Sequence, residues 1–118
     1  MGLFFKKKKD PYQDIDLDEE VALSGRASDR IIMEKMNYDD PRAKELLEAL
    51  RAGSPLVLNF DGMDLQQADK YMAFFQGAAI ALEGRAVRIN ESTFLYARKE
   101  EFLDGSLKEF VDSLPKEN

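Results

Sequence analysis

The stretch from Pro55 to Gly84 constrains the fold more than any other part of the chain. Pro55-Leu56-Val57-Leu58-Asn59-Phe60 is a short, nearly continuous apolar run, as expected of a strand buried on both faces. Asp61-Gly62-Met63-Asp64 reads as a tight turn, with Asp64 as the cap of the helix that follows. That helix is expected to run about five turns and to close at Gly84. Leu65, Ala68, Met72, Phe75, Ala79 and Leu82 recur at helical spacing and suit packing on a sheet. Tyr71, Phe74, Ala78 and Ala81 form a second stripe beside them, with the small Gly77 between. A small domain rarely has two layers to cover both stripes, so the second is expected to meet a partner subunit.

The flanking segments complete an α/β domain. Arg30–Met36 is apolar at Ile31, Ile32, Met33 and Met36 and reads as the first strand. Asp40 is placed as a helix N-cap with Pro41 at the first helical position. Ala43, Leu46, Leu47 and Leu50 supply one apolar face, and Gly53 suits the C-terminal cap. After Gly84, Arg85–Ile89 and Thr93–Ala97 alternate as two strands around a loop of Asn90, Glu91 and Ser92. A last helix capped by Asp104 or Ser106 carries Phe102, Leu103, Leu107, Phe110, Val111 and Leu114, and Pro115 ends it; it either docks on the domain or pairs with a partner. The order β-α-β-α-β-β, then α, predicts a two-layer α/β sandwich with a mixed sheet over residues 30–118. The other sheet face must be covered or polar. With the doubled stripe, this makes a homodimer the simplest arrangement, its interface expected at Tyr71, Phe74, Gly77, Ala78 and Ala81.

The first 29 residues read differently. Leu3, Phe4 and Phe5 precede Lys6, Lys7, Lys8 and Lys9, a short apolar plug beside a polybasic run. This pairing suits an anionic membrane surface, where each lysine is worth about 1 kcal/mol; two tethered copies bind far better than one. Residues 10–29 are acidic, carry Pro11 and Gly25, and read as a flexible linker. Ile15, Leu17, Val21 and Leu23 are the apolar positions of a transient docking helix in the alternative reading.

Composition narrows the chemistry. In 118 residues the formal net charge is -6 with a pI near 4.7, which argues against a general nucleic-acid binder. Cysteine and histidine are both absent, so disulfides, thiolate chemistry and the commonest general base and zinc ligand are excluded. No apolar run approaches the roughly 20 residues of a membrane-spanning helix. Asp61 and Asp64 flank a strand end, where metal-binding carboxylates often sit, but turn formation and capping account for them more simply. Ser54, Ser92 and Ser106 have no histidine to activate them. No catalytic residue, metal site or cofactor is therefore expected. The hairpin is the stronger candidate. Arg85 and Arg88 stand near Phe94 and Tyr96, and arginine with aromatic side chains is the composition of a peptide-binding hot spot. The plainer reading makes Phe94 core and the arginines solvated strand ends.

Several linked segments resemble one family. Ser54–Asp64, with its apolar strand ending in Asn59 and its turn ending Met63-Asp64, resembles the second strand and turn of the cell-division protein SepF. Phe75–Gly84 resembles that family's long helix, and Arg88-Ile89 with Thr93-Phe94-Leu95 resembles its hairpin. The likeness covers roughly residues 30–97. It implies a non-enzymatic adaptor: a membrane-targeting N-terminal segment, a linker, and a dimerising domain. That domain would bind the C-terminal tail of the tubulin-like GTPase FtsZ and tether the division ring to the inner face of the cytoplasmic membrane. The chain departs from the pattern at Asn90-Glu91, where many relatives have a glycine, and after Ala97. The short linker and these departures suit an archaeal-type member. Two further readings from the residues alone are a small regulatory ligand-binding domain and a metal-dependent phosphohydrolase built on Asp61 and Asp64.

Overall fold

The computed structural model describes residues 25–115, so the plug, the lysine run and most of the linker lie outside the described residues. Strand β1 (Ile32–Lys35) leads into helix α1 (Asp40–Ala52), then β2 (Leu56–Asn59), α2 (Leu65–Ala81), the hairpin β3 (Arg85–Asn90) and β4 (Thr93–Ala97), and α3 (Ser106–Ser113). Single 3₁₀ turns sit at Ala27–Arg30 and Lys99–Phe102. The sheet order is β1-β2-β4-β3. β1 and β2 are parallel, joined by the α1 crossover; β4 is antiparallel to both of its neighbours. The anticipated α/β class and mixed sheet are what the chain forms.

Capping residues set the helix limits. The Asp39 side chain, not that of Asp40, accepts the Arg42 N–H at 3.0 Å, so α1 begins one residue earlier than anticipated: Asp40 is already helical and Pro41 is the second residue of its first turn. Gly53 ends the helix at φ 111°, in the left-handed region that favours glycine. Asp64 caps α2 as anticipated, accepting the Gln66 N–H at 3.2 Å. The helix stops at Ala81, short of Gly84.

Parity along the strands sorts the apolar residues into two cores. On the first face, Leu56, Leu58, Phe94 and Tyr96 meet Leu46 and Leu50 of α1 and Ala68, Tyr71, Phe75 and Ala79 of α2. On the second face, Val57, Leu95 and Ala97 meet Ala27 and Leu107, with Phe102, Phe110 and Val111 packed around them. Full burial of each large apolar side chain stabilises the fold by about 1.5–3 kcal/mol. α3 thus docks on the domain rather than reaching for a partner, and it adds a third layer to the expected two-layer sandwich.

Two residues of the anticipated stripes change sides. Leu65, expected to pack on the sheet, is exposed, because it opens the first turn of α2 and projects beyond the layer. Tyr71, expected at a subunit interface, is only 2% exposed. Its hydroxyl donates to Asp40 Oδ1 at 2.7 Å and accepts the Asp39 N–H at 2.8 Å, so it ties α2 to the start of α1.

Candidate partner-binding surface

The hairpin fixes the candidate residues in two groups. Across β3 and β4, Arg88 pairs with Phe94 and Ala86 with Tyr96, so these four point to the helix side of the sheet. Arg85 pairs with Ala97 and points to the other side, where its guanidinium lies over the Phe102 ring at 5.7 Å. The four residues singled out as one hot spot are therefore not brought together. Tyr96 is 1% exposed and belongs to the core, and burial pushes its phenol pKa up. Phe94 and Arg88 are the members that share one accessible site.

That pair has a defined setting. Phe94 is half-buried, edge-on to Phe60 with ring centroids 6.3 Å apart and stacked on Tyr96 at 6.1 Å. The Arg88 side chain is exposed and donates from Nε to the Asn90 carbonyl at 3.2 Å, holding its fork over the start of the loop. A register irregularity between Arg88 and Asn90 bends the strand there. The loop itself is two residues, Glu91 and Ser92, one shorter than anticipated. Asn90 Oδ1 accepts the Ser92 N–H at 3.0 Å, and the Ser92 carbonyl accepts the Phe60 N–H at 2.7 Å. An Asn side chain thus does the turn-closing work that a glycine backbone would do otherwise. The outcome is a rigid edge with one aromatic face and one cation.

A second exposed surface lies on α2. Phe74 is 39% exposed, Ile80 65%, and Ala73, Gly77 and Ala81 are exposed between them. A Cβ built at Gly77 would meet nothing within 4 Å, so this glycine leaves a flat place on the outer helix face. Ala78 is half-buried against the first core. Of the five residues expected at an interface, Phe74, Gly77 and Ala81 lie on this face. Ile80 was missed because its spacing from Phe74 and Gly77 places it at the margin of the second stripe rather than in its row.

A third feature is a groove of about 610 Å³ on the second sheet face, past the end of α3, lined by Met33, Val57, Asn59, Ile89, Thr93 and Leu114 among others. Periodicity could not reveal it, since it depends on where α3 stops. Asp61 and Asp64 act locally: the Asp61 N–H donates to Asn59 Oδ1 at 2.7 Å, and Asp64 caps α2. Among the described residues no three carboxylates are grouped so as to hold a metal ion. Among them, too, no helix is long and apolar enough to cross a membrane.

Comparison with known proteins bears on this arrangement. The family model for cell division protein SepF matches residues 31–99, which runs from the strand β1 through the hairpin. A cell division protein SepF of Carboxydothermus hydrogenoformans is 28% identical over 93 residues, covering 78% of this chain and 66% of that protein. One from Lacticaseibacillus casei is 31% identical over 90 residues, covering 76% and 58%. One from Prochlorococcus marinus is 34% identical over 76 residues, covering 64% and 38%. The chain thus spans less than two thirds of the length of these relatives. The matched region includes α1, α2, the whole sheet and the Arg88–Phe94 pair, and stops before α3; the chain belongs to the cell division protein SepF family.

Proposed function

We propose that this protein is a non-enzymatic adaptor of cell division that links the C-terminal tail of FtsZ to the cytoplasmic membrane at the division site. The observation that carries the reading is the Arg88–Phe94 pair. It presents a half-buried aromatic ring and an exposed guanidinium side by side on one face of a rigid edge, within the region matched to the family. An extended tail with an apolar side chain and a carboxylate would bury the first against Phe94 and pair the second with Arg88, giving hydrophobic area and a charge-assisted hydrogen bond at one point.

Two further parts belong to the proposal. Leu3, Phe4 and Phe5 with Lys6–Lys9 supply the membrane-binding segment, and residues 10–29 the tether. The outer face of α2, around Phe74, Gly77, Ile80 and Ala81, supplies the homodimer contact, which doubles the weak anchors and peptide sites alike.

Calorimetry of the full chain with a peptide of the FtsZ C-terminus tests the partner. Saturable one-to-one binding per chain is expected, and heats no larger than dilution would overturn the reading. Co-sedimentation with anionic vesicles tests the anchor: the full chain is expected to pellet and a chain starting at Asp10 to stay in solution. Equal pelleting of the two would remove the membrane segment from the proposal.

A further inference from the structure

The strongest unassigned feature is the junction where the chain enters the domain. Ala27–Arg30 makes a single 3₁₀ turn, yet four long-range contacts hold it. The Ala27 N–H donates to Asp104 Oδ2 at 2.9 Å, and the Ser28 N–H to Ser106 Oγ at 3.0 Å. Arg30 Nε donates to the Gly53 carbonyl at 3.1 Å, and its Nη2 pairs with Glu101. Glu101 is 4% exposed and also receives Arg98, at 2.6 Å from Nη2, so two arginines compensate one buried carboxylate. Asp104 Oδ1 in turn accepts both the N–H and the hydroxyl of Ser106, at 2.8 and 2.7 Å. The same side chains therefore fasten the leading segment and begin α3.

The consequence concerns the second sheet face. α3 is only eight residues long, too short to persist without tertiary support. It covers Val57, Leu95 and Ala97 through Leu107, and Ala27 completes the same core from the other side. Its N-cap residue is Gly105, which offers no side-chain cap; Asp104 instead accepts the first N–H of α3 while holding Ala27, and the Ser106 hydroxyl, itself bonded to Asp104, holds Ser28.

We propose that residues 27–30 and α3 form one latch over the second sheet face, so that displacing the chain at its point of attachment also releases α3. The tail precedes Gly25, so any load carried by the tail reaches α3 through Asp104, Ser106 and Glu101 before it reaches β1. The latch is a property of the domain and holds whatever the tail binds.

Hydrogen exchange read by mass spectrometry on the full chain tests this. In Asp104→Ala, amides of residues 27–30 and of α3 are expected to exchange at least tenfold faster, together, while α1, α2 and the sheet keep their protection. Faster exchange in residues 27–30 with α3 unchanged would overturn the proposal. If every segment accelerates, a Ser28→Cys/Ser106→Cys pair in the otherwise natural chain decides the matter. The hydrogen bond from the Ser28 N–H to Ser106 Oγ sets these two residues side by side, and the natural chain has no cysteine to compete. Oxidation of the pair is expected to slow α3 exchange at least tenfold against its reduced form; equal rates would overturn the latch.

Discussion

Gly84 lies against the backbone of Ala97 where the end of α2 turns into β3. A Cβ at Gly84 would overlap the Ala97 carbonyl oxygen and stand 2.8 Å from the Ala97 carbonyl carbon. Gly84 is not among the positive-φ residues; that conformation falls instead on Glu83, at φ 59°. The glycine is required by contact, not by backbone torsion. Gly84→Ala must push β3 from β4 at its first paired residue, and overpacking against backbone costs about 1–3 kcal/mol or somewhat more. Urea denaturation is expected to show a lower midpoint with an unchanged slope; a midpoint equal to the natural chain's would contradict this contact.

Arg88 and Arg85 make an internal control for the peptide site. They are three residues apart on one strand, but the register sends Arg88 toward Phe94 and Arg85 toward Phe102. Under the proposed function, Arg88→Glu is expected to weaken binding of the FtsZ tail peptide by ten- to a hundredfold, about 1.4–2.7 kcal/mol. Arg85→Glu, on the opposite face, is expected to change it less than threefold. Calorimetry on both variants checks this, and comparable losses would show that charge alone, not the Arg88–Phe94 pair, governs binding.

The contrast between these arginines also shows what the sequence makes legible. Strand and helix identities follow from period, because the apolar runs at 56–60 and 65–82 satisfy only one geometry each. The sorting of Arg85, Arg88, Phe94 and Tyr96 into two faces follows from parity plus register, and register is set by a two-residue loop that composition suggests to be longer. Tyr71 illustrates a different limit. At helical spacing it is indistinguishable from Phe74, and only its hydrogen bonds to Asp39 and Asp40 on another helix draw it inward. The latch at Ala27 is invisible for the same reason: its partners are 77 and 78 residues away.

That difference between Tyr71 and the outer face of α2 separates folding from assembly. Ile80→Asp places a charge at an exposed position, so the stability of one chain is expected to change by no more than about 0.5 kcal/mol. Under the proposed dimer it is expected to convert the protein to monomer in analytical ultracentrifugation. Tyr71→Phe removes a hydroxyl bonded at both its donor and acceptor ends, and is expected to cost about 1 kcal/mol without altering the oligomeric state. A dimer that persists in Ile80→Asp at micromolar concentration would move the interface elsewhere.

Acid should open the junction before the rest of the domain. Asp104 is held at about 2, against an ordinary value of 3.8, chiefly by the backbone N–H of Ser106, then by the N–H of Ala27 and the Ser106 hydroxyl, with Arg30 adding a weaker attraction. A depressed carboxyl pKa means that the folded state favours the charged form. Its stabilisation is complete above about 3.8 and is lost as pH falls toward 2. The other charged groups at this junction include Asp29, which accepts the Arg26 N–H at 3.1 Å, Glu101, clamped by Arg30 and Arg98, and Glu109, 3.5 Å from Arg26. Amide resonances of residues 27–30 and of α3 are therefore expected to broaden together between pH 4 and pH 2, ahead of those in α1 and α2. Asp104→Asn isolates this contribution, since its side chain cannot titrate: the pH-dependent step assigned to Asp104 should disappear. A titration superimposable on that of the natural chain would show that Asp104 is not the group that loosens this end of the molecule.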